Sequence, residues 1–167
     1  MSNGSIALSE IEAARRYSLS LLEGVDEKDW FRMPAEGVTH IAWQVGHLAA
    51  AQNMLTIVRL RGERPDDAER FPPAYAALFA RGSVPIPDAA KYPSPAELRA
   101  TLDRVMVAAR QVIAEYSDAD LAQTPIGPPH SLFNTKLGGL FWCARHEMLH
   151  GGQIGLLKRL LGTPAKW

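Results

Sequence analysis

The chain has 167 residues, of which 47% are hydrophobic, so residues 1–167 suit a single domain with a sizeable core and are too short for two full-sized domains. Eighteen Lys and Arg residues balance eighteen Asp and Glu residues, which gives no overall positive charge to attract nucleic acid or a membrane surface, and we expect a small-molecule partner. The N-terminus lacks a secretion signal, no segment reaches transmembrane length without charges, and the single Cys143 excludes an intrachain disulfide, so we expect a cytoplasmic protein.

Apolar residues at helical spacing predict the first two helices. The first covers residues 5–23 and ends at Gly24. The second runs from a cap at Thr39 to Gly62 and contains no proline. Residues 63–93 and their exit carry PDD, FPP, PIPD and YPSP, which predicts a long connection with a short helical turn over AYAALFAR. Composition leaves open whether this connection is a lid or a simple crossover.

The third helix has a clear start signal in the sequence SPAE. Ser94 is placed to cap the helix, Pro95 suits the first helical position, and Glu97 lies three residues after the cap, where it would complete a capping box. The helical pattern continues to about Tyr116, and TPIGPPH within residues 117–134 breaks it.

A fourth helix covers about Thr135 to Leu161 and stops at Gly162 and Pro164. No segment reads as a strand of any length. Four long helices with a long connection between the second and the third predict an all-α protein, a four-helix bundle.

The fourth helix carries polar side chains on the seam that an apolar bundle would fill with leucine. His146 and His150 lie one turn apart, close enough to chelate one ion from the same helix. Burying polar groups without partners costs about 1–3 kcal/mol each, so we interpret the pair as metal ligands rather than as hydrogen-bonded core histidines. The seam consists of Gly139, Cys143, His146, His150, Gln153, Leu157 and Leu160.

The same stretch, RHEMLH, contains H-E-x-x-H, in which metalloproteases use the glutamate as a base. A protease needs its third ligand downstream, and the residues after His150 include no His, Asp, Glu or Cys. An acidic ligand from residues 63–93 would be required, so the protease is a minor alternative. Glu147 is turned about 100° from His146 around the helix axis, and we expect it at a helix interface or in solvent.

The third ligand is therefore expected from upstream, because a catalytic zinc usually has three protein ligands and one open position. His47 lies within WQVGHLAAA on the second helix, where Gly46 and the alanines allow another helix to approach closely. His40 lies at the first turn, where we expect contact with solvent or the connecting loop, and His130 lies in GPPHSLF, where a surface loop is expected. We rank His47 first, His40 second and His130 third.

WQVGHLA on the second helix and RHEMLHGGQIGLLKRLL on the last resemble the DinB-like (DinB/YfiT-like) superfamily of bacterial metal-binding proteins. The resemblance covers essentially the whole chain. It implies an up-down-down-up four-helix bundle, often a homodimer, in which three histidines bind a divalent metal such as nickel or zinc. Carried over by position, the ligands are His47, His146 and His150, in agreement with the ranking from the residues alone.

The resemblance leaves the reaction open. Some relatives are S-transferases or isomerases that use glutathione, mycothiol or bacillithiol, and others act as metal-dependent hydrolases. An ion with open positions can lower the pKa of a bound thiol or water, which suits both reactions. We favour a thiol-dependent S-transferase that acts on a small electrophile. The alternatives are a metal-dependent hydrolase and a non-catalytic, stress-associated metal-binding module.

Five neighbours of the predicted ligands complete the candidate site. Gln153 matches the family's glutamine and either holds a ligand or forms a hydrogen bond at a helix interface. Cys143 is interpreted as a small buried hydrophobe rather than as a reactive thiol. Trp43 and Met54, four residues before and seven after His47, line either the pocket or the ordinary core. Glu147 is the fifth.

Overall fold

The computed structural model describes residues 1–163, and these contain helices and no β-strand beyond an isolated bridge between His130 and Phe133. The predicted all-α class is confirmed. The long helices are α1 (Asn3–Leu21), α2 (Ile41–Asn53, continued by the π-helical Met54–Val58 and the α-helical Arg59–Arg61), α3 (Pro95–Ala114) and α4 (Lys136–Leu160). None of the helices in this part of the chain is long and apolar enough to cross a membrane.

The start of α3 follows the sequence signal in part. The Ser94 side chain accepts a hydrogen bond from the Glu97 backbone N–H at 3.2 Å, and Pro95 occupies the first helical position, as predicted. The Glu97 carboxylate instead accepts from the Arg104 guanidinium at 2.7 Å, so the return half of the capping box is missing. Glu97 thus forms an ion pair with Arg104, seven residues along the helix, and not the second hydrogen bond of the capping box.

The cap of α2 is His40, and the prediction of Thr39 is wrong. His40 has an extended backbone, and its Nδ1 accepts from the Trp43 N–H at 3.1 Å, the role that a serine or aspartate oxygen usually has. Its side chain is fully buried, with its ring 4.8 Å from that of Tyr92. The expected contact with the connection is therefore present, whereas the solvent contact is not.

The connection between α2 and α3 folds onto the bundle through short helices. These are Asp67–Arg70, Pro73–Phe79 and the 3-10 turn Ala89–Lys91, the second of which matches the predicted turn over AYAALFAR. Phe79 is fully buried, and its ring lies so close to Gly46 on α2 that a Cβ at Gly46 would be 2.4 Å away from it. The glycine therefore allows this contact.

Side-chain contacts define how the long helices run. Arg15 meets Glu147 and Leu21 lies beside Gly155, so α1 and α4 run in the same direction. Gln44 meets Gln153, and the ring of His47 lies near that of His146, so α2 runs opposite to α4. These contacts give the directions of three of the four long helices, and the up-down-down-up order stays a prediction.

The end of α4 differs from the predicted seam. Thr135 caps the helix by accepting from the Gly138 N–H, as expected, and Gly162 follows the helix with a φ of +87°. Leu160 is 56% exposed, because a straight helix of 3.6 residues per turn drifts away from a 3.5-residue repeat. The predicted stop at Pro164 lies outside the described residues.

A buried polar layer crosses the middle of the bundle and separates two apolar clusters. Along α4, Leu140 belongs to one cluster and Ile154 to the other, with Glu147 and His150 between them. The buried members of the layer are Arg15, Gln44, His47, Gln52, Glu147 and His150. Buried polar groups require hydrogen-bond partners, so in this layer the helices are joined by polar contacts instead of by apolar side chains.

Candidate metal centre

Three imidazoles from two antiparallel helices meet in the polar layer. His47 comes from α2, and His146 and His150 are one turn apart on α4. One ring nitrogen of each lies within 4.8 Å of the others, and the two Nε2 atoms on α4 are 3.2 Å apart. The structure thus brings together the three residues that the sequence ranked as ligands.

Hydrogen bonds fix the tautomers of two of these rings. His47 Nδ1 lies 2.7 Å from the backbone oxygen of Phe79, and a carbonyl can only accept, so Nδ1 carries the proton. His150 Nδ1 lies 2.5 Å from Oε1 of Gln44, whose amide nitrogen donates to Gln153 at 2.8 Å. With the amide oriented in this way, Nδ1 of His150 is also the donor. Both Nε2 atoms therefore carry a lone pair, and that of His150 faces Nε2 of His146 at 3.2 Å.

The environment also keeps the rings neutral. Burial, followed by the charges of the neighbouring His146 and His47, lowers the pKa of His150 to about 3. Burial, followed by the charges of His47 and His130, lowers the pKa of His146 to about 4. The pKa of His47 is lowered by burial as well. At neutral pH the nitrogens can bind a cation without first releasing a proton.

These residues fit a divalent transition metal. Two nitrogens that each lie about 2.0–2.1 Å from one tetrahedral ion are about 3.3 Å apart, close to the 3.2 Å between Nε2 of His146 and Nε2 of His150. Metal-binding histidines usually donate their other ring N–H to a carbonyl or a side chain, as His47 and His150 do. Imidazole suits zinc and nickel equally, so the donor set does not select between them.

Trp43 holds the ring plane of His47. The two rings stack with centroids 4.7 Å apart and planes within 7° of parallel. The indole N–H donates to the Ser83 hydroxyl at 2.9 Å, and that hydroxyl donates to the Leu78 carbonyl. The connection thereby anchors the tryptophan as well as the histidine, and Trp43 both lines the pocket and packs against an apolar cluster, the two positions that the sequence left open.

The other predicted neighbours have no hydrogen bond to the three histidines in the described residues. Gln153 is exposed and contacts the Gln44 amide, so its hydrogen bond reaches His150 only through that residue. Met54 is 44% exposed and lines the cavity. Cys143 is buried in an apolar cluster, where burial raises the pKa of its thiol, in agreement with its interpretation as a small hydrophobe.

Glu147 faces away from the histidines, at the interface with α1. Its carboxylate accepts from Arg15 Nε at 2.6 Å and from Arg15 Nη2 at 3.2 Å, with both side chains buried. Arg15 also donates to the Gln52 side chain and to the Leu102 carbonyl. The protease interpretation loses its base, and within residues 1–163 no carboxylate joins the three-histidine group.

The two lower-ranked histidines lie outside that group. His40 is the buried cap of α2. His130 stacks on Phe133 with centroids 4.2 Å apart and lines the cavity beside the three imidazoles. Sequence reasoning missed Gln44, for which its position three residues before His47 was an available signal. The Phe79 carbonyl is a backbone group, and no side-chain pattern reports its contact with a ring.

A cavity of about 1000 Å³ opens beside the three rings. Much of its lining is apolar and comes from α2, the connection and α4. Representative lining residues are Ala50, Met54, Ala76, Leu132 and Trp142. The volume suits a drug-sized molecule held against the histidines.

Gly46→Ala is expected to weaken metal binding by about 10- to 100-fold, the usual effect of losing a partner of a metal-binding histidine. The added Cβ would lie 2.4 Å from the Phe79 ring, so the short helix must shift and move its carbonyl away from His47. The measurement is zinc affinity by competition with a chromophoric chelator.

Gly152→Ala on α4 is the matched control. Nothing lies within 4 Å of a Cβ at this position, so the variant should bind zinc like the parent and gain up to about 1 kcal/mol of stability. Parental zinc affinity in Gly46→Ala would contradict a role for the Phe79 contact.

Comparison with known proteins gives one family. The sequence pattern that defines the DinB superfamily matches residues 10–154, a span that contains the three histidines, Gln44 and Glu147. No curated protein matches the chain.

Proposed function

Because the chain belongs to the DinB superfamily, a metal-binding family, we propose that it is a metal-dependent S-transferase that joins a low-molecular-weight thiol to a small electrophile. The arrangement of the three imidazoles supports this proposal. Nδ1 of His47 and Nδ1 of His150 are each held by a hydrogen bond, which leaves the Nε2 lone pairs of these two rings available to an ion, and all three rings line a large and mostly apolar cavity. The ligands would be His47, His146 and His150.

A bound divalent ion supplies Lewis acidity, which lowers the pKa of a thiol or of water towards neutrality. Gln44 and the Phe79 carbonyl hold two of the rings in the ligating tautomer. Trp43 keeps the ring of His47 in plane, and the apolar walls exclude bulk water from the reacting groups. In the reaction the thiol proton leaves, sulfur bonds to the electrophilic carbon, and the leaving group departs with its bonding electrons.

The surroundings favour a thiol over water as the nucleophile. A hydrolase benefits from a base that takes the proton of the attacking water. Within the described residues, the acidic side chains that line the cavity are Glu63, which is exposed, and Asp67, which accepts from Arg61 and Arg70. His130 also lines the cavity, but its Nδ1 already accepts a hydrogen bond from the Leu132 N–H and is not available as a base. A thiol ionises near pH 8.5 even in water and needs no such base.

The test is turnover by protein reconstituted with zinc or with nickel. Glutathione, mycothiol and bacillithiol are each supplied with monochlorobimane or 1-chloro-2,4-dinitrobenzene, and 4-nitrophenyl acetate without thiol reports hydrolysis. We expect thioether formation with one thiol, and loss of that activity in His150→Ala. Ester cleavage alone would support the hydrolase instead. No turnover above the His150→Ala control with any pair would refute the transferase.

A further inference from the structure

Three nitrogen-bearing side chains from separate segments line the cavity that contains the histidines, and we call the part of the lining that they form the rim. Arg59 lies at the end of α2, Arg81 follows the short helix Pro73–Phe79, and His130 lies in the loop before α4. Both guanidinium groups are near enough to His130 to lower the pKa of its imidazole, after the effect of burial. Like charges gathered around one ring repel each other unless an anion joins them.

The acidic residues of the cavity do not neutralise this cluster. Asp67 accepts from Arg61 at 2.5 Å and from Arg70 at 2.8 Å, and these contacts, opposed by burial, hold the pKa of its carboxyl at about 2. Its charge is therefore already matched. The other charged residues that line the cavity are Arg59, Arg64, Arg81 and Glu63. Three arginines and one carboxylate give this lining an excess of positive charge.

Phe133 holds two members of the cluster in place. The ring of His130 stacks on it within 18° of parallel, and the Arg59 guanidinium lies 5.3 Å from its centroid. Arg59 also donates to the Pro128 carbonyl at 3.0 Å. Nδ1 of His130 accepts from the Leu132 N–H, so the proton of the neutral ring lies on Nε2, which is a hydrogen-bond donor. The donors of Arg59 and His130 are thus held in place by contacts within the protein.

We propose that Arg59, Arg81 and His130 bind the carboxylate or phosphate group of an organic anion whose apolar body lies along the cavity wall towards the three histidines. Guanidinium groups bind both oxyacids through paired hydrogen bonds. The cavity that contains both the rim and the three histidines is lined in large part by apolar residues, among them Met54 and Leu132, which suits an apolar body. Anion binding at the rim needs no metal. The inference rests on the proposed function only where it takes the bound anion to be the substrate that reacts at the three histidines.

The experiment measures binding by titration calorimetry to chelator-treated, metal-free protein. The probes are 4-phenylbutanoate, phenyl phosphate and the neutral 4-phenylbutanamide. We expect at least one anion to bind about tenfold or more tightly than the amide, with an affinity that falls as salt is added. The tighter of the two anions identifies the oxyacid.

Two variants distinguish anion binding at the rim from nonspecific attraction of the anion to surface charge. Arg81→Gln should weaken binding of the anion about tenfold, because a hydrogen bond to a charged group is lost. Arg81 is exposed, so the variant should fold normally, and Arg16→Gln on the exposed face of α1 is the matched control that should bind like the parent. Equal binding of amide and anion, no binding of either anion, or parental binding in Arg81→Gln would overturn the proposal.

The outcome is independent of the transferase test. Anion binding that depends on Arg81, in a protein without thiol turnover, would establish the rim site and refute the proposed reaction. Thiol turnover in a protein that binds the amide as tightly as the anions would support the transferase and refute the rim site.

Discussion

Glu147→Ala will lower the free energy of unfolding by about 3–5 kcal/mol, because it leaves the Arg15 guanidinium buried without its carboxylate. Both side chains are nearly inaccessible, and their contacts join α1 to α4 at the polar layer. In a chain of this length the loss corresponds to a fall in Tm of about 6–20 °C. Urea unfolding at pH 7, followed by circular dichroism, measures the change.

The matched control is Glu12→Ala, which breaks the ion pair with Arg110. That pair has the same Nε–Oε1 distance of 2.6 Å, but its side chains are 51% and 29% exposed, so its loss should cost less than about 1 kcal/mol. A double variant, Arg15→Met with Glu147→Leu, should recover most of the stability because no charge remains buried. Equal losses in Glu147→Ala and Glu12→Ala would show that burial does not strengthen the pair.

The polar layer explains why the H-E-x-x-H motif misleads when it is read alone. Residues 146 and 150 share one face of α4, while residue 147 lies about 100° around the axis and faces α1. The sequence predicts that angular separation. The identity of the partner depends on α1 packing along α4, so Arg15, more than a hundred residues away, could not be inferred from local spacing.

The fold was predictable where its signals are local. The periodicity of α3 and the capping serine Ser94 are properties of neighbouring residues, and both appear in the structure. The cap of α2 is different, because a histidine caps a helix only when burial and neighbouring rings hold its imidazole, as Tyr92 does for His40. Tyr92 belongs to the connection, for which the sequence predicted its length and one short helical turn but not which residue contacts His40.

The candidate site follows the same rule. The spacing of His146 and His150, together with the small residues around His47, was enough to choose the three rings. Their hydrogen-bond partners were not predictable, since Gln44 and the Phe79 carbonyl are defined by how α2 meets α4 and the connection. The tautomers of His47 and His150 could therefore be assigned only from the structure.

His47→Ala and His150→Ala will each reduce zinc or nickel affinity by about 100-fold or more. Structural zinc sites with four ligands bind with about 10–16 kcal/mol, which assigns roughly 3 kcal/mol to each ligand and corresponds to about 100-fold. The parent, purified without a nickel column, should contain close to one equivalent of a divalent metal. Mass spectrometry of metal content and chelator competition provide the two measurements.

His130→Ala is the control, because this ring lines the same cavity but lies outside the three-histidine group. It should retain the parental affinity. Unfolding supplies a second readout: a metal at 100 times its Kd should stabilise the parent by about 2.7 kcal/mol and leave His150→Ala nearly unchanged. A parent that binds no metal after reconstitution would make the three rings structural members of the polar layer, with His47 held by the Phe79 carbonyl, His150 by Gln44, and His146 in contact with His150, and it would refute the proposed transferase.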